Sequence, residues 1–305
     1  MLVYTIKRLL LACLVVLTVS GITFILTNAA IDPAKALAGE SATAADIDAI
    51  RKMYGFDRPY VVQYFDWLFG ALRGEFGESF RMRRPVATLL LERLPVTMTL
   101  GACALAFALI LSIPLGVVAA LKPNSAVDRV ALSISVLGQA LPTFWFALMM
   151  IILFGVVLRW LPISGSDTWL HFVMPAIALG YYATPAFMRL TRAGMIEVLG
   201  SDYIRTARAK GLRPPTILFK HALRNAVIPV VSLAAVQFGF MLGGSVVIET
   251  IFALHGVGFL AWESISRSDI PVVQAIVLLI SLFYIFLTFL ADLLNAYLDP
   301  RIRVA

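Results

Sequence analysis

The sequence predicts an all-α, polytopic membrane protein with about six transmembrane helices. Apolar residues make up 60% of the 305-residue chain and charged residues only 14%, a balance unlike that of soluble domains. Long apolar stretches also recur along the chain, and each is long enough to cross a bilayer as a helix. These two observations together exclude an ordinary soluble domain.

The predicted spans lie near residues 9–28, 96–120, 130–158, 172–190, 226–252 and 271–293. The first span follows Lys7 and Arg8, which is also the arrangement of a secretory signal peptide. Its apolar core is longer than that of a signal, and no small-residue cleavage site follows it. We therefore interpret it as a retained span with the N-terminus in the cytoplasm.

The distribution of lysine and arginine predicts the orientation. Basic residues are concentrated between the fourth and fifth predicted spans, and Arg301 and Arg303 follow the last one. The two short loops on the other side contain only Arg159 and Arg267 as basic residues. By the positive-inside rule, both termini are expected in the cytoplasm.

Residues 29–95 are predicted to form a folded helical region outside the membrane. Helices are expected at 43–54 and 59–72, and the second carries a stripe at four-residue spacing formed by Tyr60, Tyr64, Leu68 and Leu72. We interpret this stripe as a face that packs on the membrane domain. A short elbow helix at 85–94 is expected to lead into the second span at Pro95.

Prolines and polar residues interrupt the apolar spans. Kinks or breaks are expected at Pro114, Pro142, Pro175 and Pro185. Polar and small residues in the third and fifth spans are candidates for a translocation path: Gln139, Pro142, Thr143, Gln237, Gly243, Gly244 and Ser245. The alternative is that the amides bond between helices and the glycines permit close packing.

The basic segment 202–229 contains the start and stop signals of two short helices. Asp202 is a candidate N-cap, Gly211 suits a left-handed position after the first helix, and Pro214-Pro215 prevent its continuation. A second helix is expected to follow, with Pro215 in its first turn. A helix-turn-helix between two spans is typical of a docking surface.

The sequence lacks the motifs of a catalytic or metal-binding protein. No nucleophile elbow is present, and His171, His221 and His255 do not form an H-E-x-x-H pair. Cys13 and Cys103 lie in apolar runs without metal-site spacing. We therefore expect no catalytic residue, no bound metal and no cofactor. The basic residues flank apolar runs, which favours membrane lipid rather than nucleic acid as their partner.

A phosphate-binding loop of the form G-x-x-x-x-G-K-[ST] is also absent from the sequence. The chain is therefore not expected to hydrolyse ATP. Any energy from nucleotide must come from a partner subunit.

Short motifs distributed along the whole chain carry a family resemblance. They are Tyr4-Thr-Ile-Lys-Arg8, Asp32-Pro33, Gly55-Phe-Asp-Arg-Pro59, Gln63-Tyr64, Gly74-Glu-Phe-Gly77, Leu94-Pro-Val-Thr97, Leu161-Pro162, 202–211, His221-Ala-Leu-Arg-Asn225, 243–252, Gly256-Val-Gly258 and Leu298-Asp-Pro-Arg-Ile-Arg303. In their order and spacing they resemble the first (B-type) permease of binding-protein-dependent ABC importers for dipeptides, oligopeptides, nickel or glutathione.

The resemblance implies a bacterial inner-membrane transport subunit with several partners. These are a second, paralogous permease, two ATP-binding subunits that hold ATP and Mg, and a periplasmic substrate-binding protein. It divides the chain into the N-terminus and first span (1–28), a periplasmic helical region (29–95) and a transmembrane core (96–305). The cargo stays open among dipeptides, oligopeptides, glutathione, nickel chelates and opines.

The resemblance also implies that the basic segment is the family's EAA-type coupling loop, at about 191–225, whose coupling helix docks on an ATPase subunit. The candidate coupling residues are Tyr203, Arg205, Thr206, Ala207, Lys210, Gly211, Leu212, His221, Arg224 and Asn225. Arg205 stands where the family pattern has glutamate, and Leu223-Arg224 replaces its Leu-Pro. Our hypothesis is that Ala207 and Gly211 seat this helix in the ATPase cleft.

By the same resemblance, Glu249, Phe252, Gly256 and Gly258 are candidates for the periplasmic mouth. From its position near the end of a span, Glu249 is also a candidate interface residue. Two other classes remain as alternatives. An ion-gradient-driven secondary transporter would require inverted repeats or mid-membrane ionisable residues, and we find no convincing repeat. A membrane protease would require the catalytic constellation that is missing.

Overall fold

The computed structural model describes residues 2–39 and 42–298 of the chain. Every regular element in these residues is a helix, so the predicted all-α class is confirmed. The predicted cytoplasmic tail with Arg301 and Arg303 lies outside the described residues.

The first half of the chain contains eight numbered helices, which are divided between the outer region and the membrane core. They are α1 (Leu2–Ala30), α2 (Pro33–Ala38), α3 (Ala44–Met53), α4 (Tyr60–Leu72), α5 (Val86–Leu121), α6 (Ala126–Ala140), α7 (Thr143–Met150) and α8 (Val173–Tyr181). A π-helix, Ile151–Val157, continues α7, and a 3-10 turn, Trp169–Phe172, precedes α8.

The second half contains α9 (Thr184–Leu199), α10 (Asp202–Ala209), α11 (Arg224–Ala226), α12 (Ile228–Ile251), α13 (Val257–Ser266) and α14 (Ile270–Leu298). A π-helical segment, Thr216–Leu223, runs directly into α11. The short α10 therefore lies between a long helix and a second helical segment, as the basic-segment pattern predicts.

Four helices of the described residues are long and apolar enough to cross a membrane: α1, α5, α12 and α14. The pair formed by α6 and the extended α7 makes a fifth if it counts as one span, although its halves meet at 100°. The fourth predicted span is divided between α8 and α9. The count of six membrane crossings stays a prediction.

The break between α6 and α7 follows from Pro142. The proline ring excludes the helical conformation from the preceding residue, and Leu141 is extended with φ −94° and ψ 134°. Pro185 lies in the first turn of α9, where its missing N–H costs no hydrogen bond. Pro114, in contrast, lies inside the unbroken α5.

The predicted elbow helix at 85–94 is not a separate element. It is the first part of α5, which runs for 36 residues through Pro95. Pro95 and Leu91 are both exposed, so the carbonyl that loses its N–H partner at Pro95 lies on an open side of the helix. The helix therefore continues where the sequence suggested a joint.

The outer helices α3 and α4 agree with the predicted segments, and Thr43 and Asp46 form a capping box at the start of α3. The predicted stripe on α4 is only partly correct. Leu68 is buried, whereas Tyr60 and Leu72 are 56% and 76% exposed. The face of α4 that packs on α1 is centred on Tyr64, whose hydroxyl lies 2.8 Å from Ser20 Oγ.

Three clusters of buried side chains position the functional surfaces. The main cluster joins α5, α7, α8, α9 and α12, and it includes Leu100, Met174, Phe187 and Ile248. A second cluster joins the Val86 end of α5 to α13 and α14. A third surrounds α10 and joins it to the Leu121 end of α5 and to α9.

Two glycines set how closely the core helices approach. A Cβ atom on Gly138 would lie 2.2 Å from the Tyr181 carbonyl oxygen, and one on Gly180 would lie 2.3 Å from that of Ala104. A carbonyl on a neighbouring helix cannot move aside as a flexible side chain can. These contacts between α6 and α8 and between α5 and α8 therefore require glycine.

Candidate functional site

The helix α10 is fixed to the rest of the chain by one face. Ile204 is fully buried and Ala207 is 8% exposed, and both pack in the cluster that contains Met195, Ile217 and Ala222. Their spacing of three residues places both side chains on the same side of the helix. The opposite side of α10 is left open.

The start of α10 differs from the prediction, and its end agrees with it. Ser201 occupies the N-cap position in extended conformation, while Asp202 is the first helical residue and makes no cap bond. Gly211 follows the helix with φ +72°, the left-handed conformation that glycine adopts without strain. Nothing lies within 4 Å of the position that a Gly211 Cβ would take, so Gly211 is open to a partner.

The hypothesis that the Ala207 side chain contacts a partner needs correction. Ala207 faces the chain's own cluster beneath α10, because it shares the buried side with Ile204. A small residue is required at Ala207 for this packing, which is the same sequence signal that a close contact with a partner would give. The assignment of Gly211 to the docking surface stays a prediction.

The open side of α10 forms what we term the coupling surface. Its members are exposed and lie on α10 or directly after it: Tyr203, Arg205, Thr206, Arg208, Lys210, Gly211 and Leu212. The Arg205 guanidinium lies 3.4 Å from the Asp202 carboxylate, and both side chains are largely solvated. Such a surface offers several cations for pairing with acidic groups on another protein.

The second helical segment closes against one side of the coupling surface. Asn225 Nδ2 donates to the Tyr203 hydroxyl at 2.8 Å and to the His221 carbonyl at 3.2 Å. These residues, with Lys220 and Arg224, line an open cavity of about 570 Å³. The structure thus brings together Tyr203, His221, Arg224 and Asn225, which the sequence assigned to one loop.

A second cavity lies between α7, α8 and α12. Its volume is about 290 Å³, and Thr143, Gln237 and Gly244 are among its lining residues. The sequence analysis assigned these three residues to a translocation path, and the structure shows that they line one cavity. The wall also contains Tyr182 and Phe240, whose rings stack with centroids 6.5 Å apart. We term this space the core cavity.

The other predicted path residues do not line the core cavity. Gln139 and Pro142 are exposed near the break between α6 and α7. Gly243 is exposed, and a Cβ on it would lie 3.9 Å from Ile280 Cγ2 of α14, an ordinary contact, so this position does not require glycine for close packing. Ser245 is fully buried and donates to the Leu242 carbonyl at 2.9 Å.

Glu249 is not an interface residue, because it is fully buried. Its Oε1 accepts from the Thr97 hydroxyl at 2.8 Å, and its Oε2 accepts from the Phe259 N–H at 2.9 Å. The Thr97 oxygen in turn accepts from the Val257 N–H at 2.8 Å. Glu249 and Thr97 therefore hold the N-terminus of α13, where free N–H groups favour a carboxylate.

The residues predicted to form the periplasmic mouth are buried as a group. Phe252 is 1% exposed, and a Cβ on Gly256 would lie 2.4 Å from Glu249 Oε2. A Cβ on Gly258 would lie 2.8 Å from Val246 Cα. These residues are covered by their own chain, and their position near the periplasmic mouth stays a prediction. The accessible side chains beside them are His255 and Trp262.

The sequence reasoning missed a largely buried ion pair between α6 and α9. The Arg192 guanidinium binds Asp128, which also accepts from the Asn124 N–H at 2.8 Å. The pair joins the first turn of α6 to α9, the helix that precedes α10. Sixty-four positions separate the two residues, so no local pattern connects them.

Comparisons with known proteins give consistent results along the whole chain. Residues 112–304 match the family described as binding-protein-dependent transport system inner membrane component. Residues 1–101 match the family described as the N-terminal part of such membrane components. Together the two regions include both the outer helices and the coupling surface.

Named relatives cover nearly the full length. The glutathione transport system permease protein GsiC of Pectobacterium atrosepticum is 41% identical over 304 residues, 99% of each chain. The protein of the same name from Escherichia coli K12 is 40% identical over the same length. Two crystal forms of the inward-facing MetNI methionine ABC transporter match with TM-scores of 0.54 and 0.56, at 18% and 20% identity. They cover 68% of this chain and 95% of theirs, which shows a shared fold.

Proposed function

The chain belongs to the family of binding-protein-dependent transport system inner membrane components, and we propose that it is a permease subunit of an ATP-binding-cassette importer. The observation that carries this proposal is the near full-length identity of 41% with a glutathione transport permease. The helical fold and its membrane-spanning helices support it. Hydrolysis of ATP is then a property of other subunits.

The proposed assembly contains a second permease, two ATP-binding subunits that bind ATP and Mg, and a periplasmic binding protein. The coupling surface is the proposed contact with an ATP-binding subunit. It suits this role because α10 is held from below by Ile204 and Ala207 while its cationic side stays open. The concentration of basic residues in this loop supports a cytoplasmic position for it, and hence for both termini.

The proposed cargo is glutathione or another small peptide. The name of the relatives supports this class, and the lining of the core cavity is compatible with it. Gln237 and Thr143 supply hydrogen-bonding groups for amides, and the stacked Tyr182 and Phe240 supply an apolar wall. The second permease would complete the path from its own side.

The geometry suggests how nucleotide binding would reach the core cavity. The cluster beneath α10 includes Val117 and Ala120 of α5 and Met195 of α9. A displacement of α10 would therefore act on two core helices. Both helices pack against α8 or α12, which line the core cavity. Movement of the coupling helices by the ATP-binding subunits would therefore open or close the path.

The proposal is tested by transport in proteoliposomes that contain the complete importer with its binding protein. Uptake of labelled glutathione is expected to require ATP on the side of the membrane that carries the ATP-binding subunits. It should persist after ionophores collapse all ion gradients. Competition by dipeptides and oligopeptides then defines the cargo class. Uptake that follows an ion gradient and ignores ATP would instead identify a secondary transporter.

A further inference from the structure

A cavity of about 500 Å³ lies apart from both the coupling surface and the core cavity. It is enclosed by α1, α4, the start of α14 and the segment 75–83. We term it the outer cavity. None of the residues that line it lines the core cavity, so transport along the proposed path leaves it without a role.

The depth of the outer cavity is fixed by the helices that enclose it. Phe24 and Asn28 belong to the last two turns of the apolar span α1, and Ile270 and Gln274 belong to the first turns of the apolar span α14. The ends of two spans mark the boundary between hydrocarbon and water. The outer cavity therefore lies at the depth of lipid head groups.

Three buried amides leave acceptors at the cavity wall. Asn28 Nδ2 donates to the Phe24 carbonyl and Gln274 Nε2 donates to Thr27 Oγ1, both at 2.8 Å. Gln63 Nε2 is likewise bonded to the Arg58 carbonyl at 2.7 Å. In the part of the chain that the structure describes, no donor bonds their carbonyl oxygens.

An unpaired donor completes the polar wall. Trp67 lines the outer cavity, and its buried indole Nε1–H has no hydrogen-bond partner within the described residues. A buried donor without a partner is unfavourable, and native structures rarely retain one without a reason. Because the Nε1 atom itself is covered by protein, a bound acceptor oxygen would reach it once the Trp67 ring turns toward the cavity.

Charges of both signs lie around the outer cavity. Arg58 and Asp66 pair with each other at 2.8 Å. Arg83, Glu75 and Glu78 also line the cavity, and none of them forms an ion pair with another described residue. One uncompensated cation beside two uncompensated anions complements a zwitterion rather than a simple anion.

We propose that the outer cavity binds the head group of a zwitterionic phospholipid of the phosphatidylethanolamine type. The phosphate would accept from Trp67 Nε1 and pair with Arg83, and the ammonium would lie near Glu75 and Glu78. The acyl chains would leave along α1, where Ile22, Ile25 and Leu26 are 53%, 57% and 63% exposed. The depth of the cavity favours a lipid over a free zwitterionic solute.

The test is lipid retention by the purified importer in mild detergent, measured by native mass spectrometry after exchange with vesicles. Vesicles of phosphatidylethanolamine and of phosphatidylglycerol are used in parallel. One phosphatidylethanolamine per chain is expected to remain bound. The variant Trp67→Phe keeps the ring and removes the donor, and it should reduce retention about fivefold, the factor for one hydrogen bond.

Trp169→Phe is the matched control, since Trp169 is 75% exposed and does not line the outer cavity. It should retain lipid like the unaltered chain. Thermal unfolding of each variant confirms that the fold persists. Arg83→Gln removes the proposed phosphate partner at an exposed position and should also reduce retention of phosphatidylethanolamine. Equal retention of both lipids, or displacement of the bound molecule by free glutathione but not by lipid, would overturn the proposal.

Discussion

Asp128 and Arg192 form a bidentate ion pair, with Arg192 Nε and Nη2 at 2.8 and 2.6 Å from the two carboxylate oxygens. Only 3% of the Asp128 side chain is exposed. The pair fixes the start of α6 to α9 one helix before the coupling surface. Its loss should therefore affect both stability and coupling.

Asp128→Asn is expected to destabilise the protein by about 2 kcal/mol, because a partly buried guanidinium loses its charged partner. The measurement is thermal unfolding of the purified importer. The ATPase rate should also depend less on the loaded binding protein, since α9 loses its tie to α6. Asp66→Asn is the control: its pair with Arg58 is exposed, and the expected change is below about 1 kcal/mol. Equal effects of the two substitutions would contradict a special role for the Asp128 pair.

Thr97→Val tests the junction between α5, α12 and α13. The substitution keeps the shape and removes the hydroxyl that donates to Glu249 and accepts from the Val257 N–H. A loss of about 2 kcal/mol is expected, because two buried groups lose a partner. Hydrogen exchange of the first amides of α13 should rise in parallel. Thr250→Val removes a hydroxyl bonded only within its own helix and should leave this exchange unchanged.

Ala207→Leu separates internal packing from docking. Because Ala207 is buried beneath α10, the larger side chain should overpack the cluster and cost about 1–3 kcal/mol of stability, measured by thermal unfolding. Thr206→Leu changes the neighbouring exposed position and should leave the unfolding temperature nearly unaltered. If the coupling surface meets an ATP-binding subunit, Thr206→Leu should still reduce substrate-stimulated ATPase activity. Normal stability of Ala207→Leu would argue against the inward position of this side chain.

Gln237→Leu tests the core cavity as part of the path. The substitution preserves size and removes the amide that faces the cavity, so the apparent KM for peptide uptake should rise several-fold. The matched control is Gln139→Leu, an amide from the same predicted set that lies outside the cavity. A similar KM in the two variants would remove Gln237 from the path.

Sequence periodicity and punctuation predicted the helical class, the outer helices and the left-handed Gly211, because each depends on neighbouring residues. The break at Pro142 was also predictable from the sequence, since proline acts on the residue before it. The burial of Ala207 and Glu249 was not, because it depends on which side of a helix meets a distant element. Alanine and glycine are equally typical of internal packing and of docking, so composition alone cannot separate these roles.

The same limit applies to the aromatic wall of the core cavity. Tyr182 and Phe240 are separated widely in sequence, and each resembles an ordinary lipid-facing or core aromatic. The two rings come together because α8 and α12 pack against each other in the fold. The sequence reasoning could find Gln237 and Thr143 because polar side chains within apolar runs are rare.

Because α5 continues through Pro95 without a break, one helix joins its two ends. Its 36 residues span about 54 Å, which exceeds the thickness of the bilayer hydrocarbon. One end packs with α13 and α14, and the other packs beneath α10. A tilt of roughly 5° about its middle would displace each end by about 2 Å in opposite directions. In the proposed importer, a binding protein at one membrane face and a nucleotide at the other would thus act on one continuous helix.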